Sequence, residues 1–250
     1  MRRFLKFFSW FSLLLVLVPC SIGAALGYAQ GWPSSWRAAN WGSSGMLSAA
    51  RDVPEATVIL LSTRTGRWKS IFAEHMSIVL KPEGAAEWTR YDVVGWGNPV
   101  RRDAYAADAY WYGNEPRVVY RLTGPEAAAL IPRIESSIAR YPHAARGSYT
   151  VWPGPNSNTF VSWVVRNTEG FSAELPPVAV GKDWLGWAGA APAPSKTGYS
   201  FSLAGVLGGT VALREGLEPH LLGSTIGLDP DDLAIKLPAL GKLSLLDALH

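Results

Sequence analysis

Uncharged, mostly apolar residues run from Phe7 to Ala29 behind the cationic cluster Arg2, Arg3 and Lys6. A run of that length predicts a helix able to cross a bilayer, and its basic flank places the N-terminus on the cytoplasmic side. A cleaved signal peptide is the competing reading. The strongly apolar stretch Phe11 to Val18 is short, Pro19 breaks it, and Gly27-Tyr28-Ala29 resembles a small-residue cleavage site. Length favours the uncleaved anchor. A lipoprotein box at Leu17-Val18-Pro19-Cys20 fits less well because proline precedes the cysteine. A twin-arginine signal at Arg2-Arg3-Phe4-Leu5-Lys6 lacks a spacer residue.

Beyond the anchor, residues 30–55 hold Gly, Ser, Ala and Trp without sustained period and read as a juxtamembrane connector. Trp32, Trp36 and Trp41 there suit either a headgroup interface or packing on the domain. Ala56 to Ser62 is a β-branched apolar run of the kind found in buried strands. Ile71 to Leu80 and Glu87 to Val94 follow, separated by the turn chemistry of Lys81-Pro82-Glu83-Gly84, and predict an antiparallel hairpin. Another strand is expected at Arg117 to Leu122. Gly124-Pro125-Glu126 then opens a helix through Leu130, Ile134 and Ile138, which Pro132 kinks or restarts. A second helix is expected from a cap at Asn158 through Phe160, Val161, Trp163 and Val164, ending by Asn167 to Gly170.

No tryptophan follows Trp187, and Ala190 to Ser195 reads as a linker. Phe201, Leu203, Leu207, Val211 and Leu213 then fall on one face at period two, with turns at Arg214-Glu215-Gly216 and Asp229-Pro230-Asp231-Asp232. That pattern predicts a C-terminal β-meander whose apolar face must cover the main sheet, a partner or a lipid surface. The expected organisation is an anchor at 1–29, a connector at 30–55, an α+β core at 56–189, and linker plus meander at 190–250.

Charge changes the picture by exclusion. The net charge of +3 comes from the N-terminal tip, since the remaining chain is balanced. No basic surface for nucleic acid is expected. Cys20, the single cysteine, lies inside the apolar segment, so the body has no cysteine nucleophile, thiolate metal site or intrachain disulfide. His143, His220 and His250 lack metal-ligand spacing, and neither a metal site nor a phosphate-binding loop nor any other cofactor is expected.

Candidate chemistry gathers around Gly154-Pro155-Asn156-Ser157-Asn158-Thr159-Phe160. This loop delivers Ser157 to a helix N-terminus, where free N–H groups and the helix dipole favour an alkoxide or an oxyanion. His75 lies near the start of one hairpin strand and Asp92 near the end of the other, so pairing about the turn brings them together. A carboxylate-held imidazole makes an effective base. The plainer reading makes Ser157 a capping and turn residue, His75 a half-buried strand residue, and Asp92 a solvated partner of Arg90 or Lys81. Trp96, in Gly95-Trp96-Gly97, either lines a cleft beside His75 or plugs the core.

Three motifs carry a resemblance: Glu74 to Pro82, Thr89 to Gly97 and Trp152 to Phe160. Together they are similar to an uncharacterised bacterial family, domain-of-unknown-function family 3750, over most of residues 50–240. More distantly, a strand histidine, a polar residue on the next strand and a helix-start Asn-x-Asn resemble the circularly permuted papain-like hydrolases and acyltransferases. That resemblance implies an α+β fold with a small antiparallel sheet and packed helices. It makes His75 the base, Asp92 or a neighbour the orienting residue, and puts Ser157 where the family carries cysteine; Asn156, Asn158 and Trp96 are the candidate binding residues beside them. The expectation is a protein at the bacterial inner membrane with its body in the periplasm. Its role is a noncatalytic binding or scaffolding module for an envelope peptide, lipid or acyl ligand, or alternatively a serine-dependent amide or ester hydrolase or acyltransferase.

Overall fold

The computed structural model describes residues 2–245, with side chains described at Trp10 and from Leu14 onward. Helix α1 (Arg2–Gln30) precedes an irregular stretch that runs over the body. A five-stranded antiparallel sheet follows, built from β1 (Thr57–Arg64), β2 (Glu74–Lys81), β3 (Thr89–Val93), β4 (Val100–Arg102) and β5 (Arg117–Thr123) in the order β4-β3-β2-β1-β5. Helices α2 (Pro125–Ala139) and α3 (Ser157–Asn167) come next. A second antiparallel sheet closes the chain. Its members are β6 (Ala188–Pro192), β7 (Gly198–Leu203), β8 (Leu207–Ala212), β9 (Gly216–Leu221), β10 (Ser224–Thr225), β11 (Gly227–Asp229), β12 (Ala234–Leu237) and β13 (Gly241–Ser244). Their order is β13-β12-β11-β9-β8-β7-β6, with β10 paired to β9. The chain is thus a mixed α and β protein with antiparallel sheets.

The continuous apolar run of β1 is buried on both sides because β1 is an inner strand with both faces covered. On one face Val58, Leu60, Met76, Ile78 and Leu80 pack against Leu130 and Ile134 of α2 and Phe160, Val161 and Val164 of α3. Ile59, Leu61 and Val79 on the other face lie under Met46, Leu47 and Trp88. β2 begins at Glu74, later than the expected Ile71, because Arg67–Ile71 form a 3₁₀ turn that docks against α1. α2 continues through Pro132 as one helix.

Gly23 and Gly27, one turn apart on α1, let the helix approach the body. A Cβ on Gly23 would lie 2.8 Å from Ala239 Cβ, and one on Gly27 would lie 3.6 Å from Ile71 Cγ1. The anchor expected over Phe7 to Ala29 begins among side chains outside the described set. One face of its last two turns, at Gly23 and Gly27, packs on the body, while Leu26 and Tyr28 stay exposed. Among the described residues, no helix is long and apolar enough to cross a membrane.

The second sheet departs most from expectation. The segment expected as a linker contributes β6, and between the two expected turns the chain is broken again by a turn at Leu222-Gly223. The polar side of the meander packs on the body, and its apolar side faces outward. Lys236 Nζ lies 2.9 Å from Glu218, 2.7 Å from Glu174 and 3.3 Å from Asp229, while Lys182 reaches Glu218 at 2.8 Å. Burial raises the Glu218 carboxyl, but the two lysines outweigh it and hold the group at about 2. Mutual ion pairing makes this polar layer buriable.

Candidate functional site

β3 pairs with β2 only through Ile78↔Tyr91, Val79↔Arg90 and Leu80↔Thr89. Below that register the edge of β2 is free, and the start of α3 takes its place. Asn158 Oδ1 accepts from Met76 N at 3.1 Å, and Asn158 Nδ2 donates to Glu74 O at 2.8 Å and Val180 O at 2.9 Å. The helix cap is Asn156, not Asn158. Its Oδ1 accepts from Asn158 N and Thr159 N, Thr159 Oγ1 accepts from Asn156 N, and Asn156 Nδ2 donates to Val151 O and Val180 O. Both asparagine amides, expected to bind ligand, are therefore spent on holding the helix start. Gly181, at φ +95°, completes the fit, since a Cβ there would lie 2.4 Å from Asn156 Nδ2.

This leaves Ser157 as the first helical residue. Asn158 N, Thr159 N and Phe160 N are all taken by Asn156, and Ser157 N–H and Oγ have no partner among the described residues. A helix start with one open amide suits a developing oxyanion.

Across the notch, His75 Nε2 lies 2.8 Å from Asp92 Oδ1. Arg90 clamps the same carboxylate, with Nε 2.8 Å from Oδ2 and Nη2 3.0 Å from Oδ1, while its Nη1 donates to the carbonyls of Ala106 and Ala107. All three side chains are buried. Burial raises the Asp92 carboxyl, but Arg90 and the His75 hydrogen bond outweigh it and hold the group at about 2. Burial pushes the His75 imidazole below its ordinary value despite Asp92. An ionised carboxylate only accepts, so the His75 proton resides on Nε2 and Nδ1 presents a lone pair. Asp92 is paired with Arg90, as the plainer reading had it, yet the pair is buried rather than solvated.

His75, Ser157 and Trp96 line one cleft of about 540 Å³. Trp68, Phe72, Trp111, Tyr149 and Trp152 give it a mostly apolar wall, and Trp68, Trp96 and Trp152 are exposed at 60%, 46% and 45%. His75 and Asp92 project from the sheet face opposite α2 and α3, so Ser157 shares the cleft with His75 at the splayed edge of β2 and not across a helix-covered face.

Residues 55–184, slightly more than half of the chain, match the model of the family DUF3750, described as a protein of unknown function. The chain belongs to this family. The DUF3750 segment holds His75, Arg90, Asp92, Trp96 and Ser157 and ends before the meander. No curated protein and no solved structure matches the chain.

Trp111 lines the cleft and Arg90 holds Asp92 beneath it, and the sequence pattern offers neither as a site residue. The aromatic run Tyr110-Trp111-Tyr112 was the available signal for the first. Other titratable groups lie elsewhere. His220 is buried against Thr210 and Thr225, His143 packs on Trp184, and His250 lies outside the described residues. Glu174, Asp229 and Asp232 approach one another as metal ligands would, but Lys242 Nζ lies 2.6 Å from Asp229 and 3.0 Å from Glu174 and already supplies the positive charge.

Proposed function

We propose that the cleft binds an apolar acyl or peptide chain and performs acyl transfer or hydrolysis with Ser157 as nucleophile. The single observation behind this reading is a histidine oriented by a buried carboxylate, its other ring nitrogen open toward a cleft that also holds a helix-start serine. In this reading His75 Nδ1 takes the Ser157 Oγ proton as Oγ bonds to the substrate carbonyl carbon. The carbonyl oxygen gains the negative charge and accepts from Ser157 N–H. Collapse of the tetrahedral intermediate breaks the ester or amide bond, and the proton passes from His75 to the leaving group. Water or a second alcohol then releases the acyl group by the same steps in reverse. The order strand histidine, strand aspartate, helix-start serine supports the likeness to permuted papain-like hydrolases. The α1 segment, with its basic N-terminal flank, supports placement at the outer face of a bacterial inner membrane, where exposed cleft tryptophans suit the interface.

A noncatalytic binding module is the second reading, favoured by the absence of a Ser157–His75 hydrogen bond among the described residues. A fluorophosphonate probe separates the two. Acyl chemistry predicts labelling of the wild type that disappears in Ser157→Ala and falls sharply in His75→Gln. No labelling, with equal binding of a fluorescent fatty-acyl probe by wild type and Ser157→Ala, sinks the catalytic reading and leaves the binding module.

A further inference from the structure

Most polar groups along the cleft that holds Ser157 and His75 are already engaged. Asn156 and Asn158 are spent on the helix start, and Val180 O accepts from both. The Glu74 carboxylate takes Ser62 Oγ at 2.6 Å, Arg117 Nη2 at 2.7 Å and Arg64 Nε at 3.5 Å. Trp96 O accepts from Arg101, and Leu222 O accepts from Trp152. Lys69 is different. It is exposed at the cleft wall, and its Nζ meets no carboxylate among the described residues, lying instead 5.7 Å from the Trp68 ring centroid. Among the lining residues only Lys69 and Glu74 carry a fixed charge, and two arginines neutralise Glu74, so one uncompensated positive charge remains. The start of α3 turns its positive end to the same cleft. We propose that the cleft takes an anionic amphiphile, a single hydrocarbon chain whose carboxylate, phosphate or sulfate head is held by Lys69. This rests on the apolar-chain reading of the cleft given above and narrows that chain to an acyl or alkyl one.

Two observations choose hydrocarbon over peptide. An extended peptide brings a donor and an acceptor at every residue, and each needs a partner once buried. The edge of β2 that β3 leaves uncovered is where a peptide would find them. That edge is filled, because Glu74 N donates to Val178 O at 3.0 Å while Asn158 holds Glu74 O and Met76 N. The wall is the second observation, since Phe72, Val94, Trp96, Trp111 and Val151 offer ring and methyl surface. A hydrocarbon chain asks for no hydrogen bonds and gains from every apolar contact. Charge then decides the head. A cationic head is repelled by Lys69 and a neutral one gains nothing from it, whereas an anion is attracted and stays partly hydrated at the exposed mouth.

The test places a reporter in the cleft. Val151 lines the same wall and is more than half exposed. Val151→Cys on a Cys20→Ser background therefore gives one attachment point for an environment-sensitive fluorophore. The full chain is held in phosphatidylcholine nanodiscs and titrated with octyl phosphate, octyltrimethylammonium, octyl glucoside, inorganic phosphate and a capped trileucine peptide, each at known free concentration below any micelle threshold. Octyl phosphate should shift the fluorescence at a concentration at least about fivefold below that of octyl glucoside, with octyltrimethylammonium weakest. Inorganic phosphate and the peptide should leave it unmoved. Lys69→Gln should bring octyl phosphate level with octyl glucoside, and Lys69→Glu should reverse the order of the two charged ligands. Phosphatidic acid built into the nanodisc should compete with octyl phosphate where the anionic chain is drawn from the bilayer, and unaltered octyl phosphate binding assigns it to a free amphiphile. Equal affinity for the three octyl ligands, unmoved by either Lys69 substitution, would overturn the anionic head while leaving an apolar-chain cleft intact. A peptide shift as strong as that of octyl phosphate would overturn the hydrocarbon chain. No shift with any ligand would remove the apolar-chain reading itself, and this proposal with it.

Discussion

The imidazole of His75 lies flat on the indole of Trp111, with ring centroids 3.7 Å apart and planes within 3°. Trp111 in turn meets Trp41 and Tyr105 edge-on. The ring is thereby fixed on one face by an aromatic plate and on its edge by Asp92, leaving only a shift in its own plane. Trp111→Leu should admit water to His75 and move its titration upward toward the ordinary histidine value. Proton NMR of the histidine Cε1–H resonance reads this directly, and an unchanged titration would show that Trp111 contributes nothing to desolvation.

Arg90 and Asp92 should be strongly coupled. Removing either alone strands a buried charge, so Arg90→Met and Asp92→Asn should each cost about 3–5 kcal/mol in urea unfolding. The double variant should cost well below the sum of the two. Additive losses would show that the two groups do not depend on each other.

Acid should destabilise the protein in two stages. His75 is depressed, so the unfolded chain takes up a proton before the folded chain does, and stability falls as pH drops below about 6.5. Asp92 is held at about 2, so its contribution is complete above the ordinary carboxylate value near 4 and disappears between about 4 and 2. Burial depresses His220 and His143 as well, so in thermal melts from pH 8 to 3 His75→Gln should reduce the upper stage without abolishing it. A curve identical to wild type there would assign that stage to another group.

The start of α3 depends on Asn156 and Gly181 together. Loss of the cap in Asn156→Ala should cost about 1–2 kcal/mol, with more from the two lost amide donors. Gly181→Ala should be costly in the wild type, through both its φ and its contact with Asn156, and cheaper in an Asn156→Ala background. Equal costs in the two backgrounds would place the strain in φ alone. The measurement is chemical unfolding of the four combinations.

Much of the central sheet was legible because its signals are local. Period, turn chemistry at Lys81 to Gly84 and the Gly124-Pro125 helix start each act over a few residues, and the hairpin register then brought His75 to Asp92. The cap was misplaced by two residues because Asn156 and Asn158 are chemically equivalent in sequence. Only the partner on β2 decides which one caps and which one clamps the strand. Alternation in Phe201 to Leu213 predicted the meander but not its sense. Which face turns inward is set by Lys182, Glu174 and Arg166, distant residues that pair with Glu218, Lys236 and Ser200. Trp111 was silent for a similar reason, since no spacing rule ties it to His75.

The contact between α1 and the 3₁₀ turn Arg67–Ile71 has a mechanical consequence. Gly23 and Gly27 place the helix directly on Ile71, and Trp32 Nε1 donates to Ser70 Oγ at 3.0 Å. The same short turn carries Trp68 and Lys69 into the cleft wall, followed by Phe72. Helix α1 and the cleft mouth therefore rest on two sides of one short turn. Loosening α1 from this turn therefore removes one support of the aromatic rim of the cleft that holds Ser157.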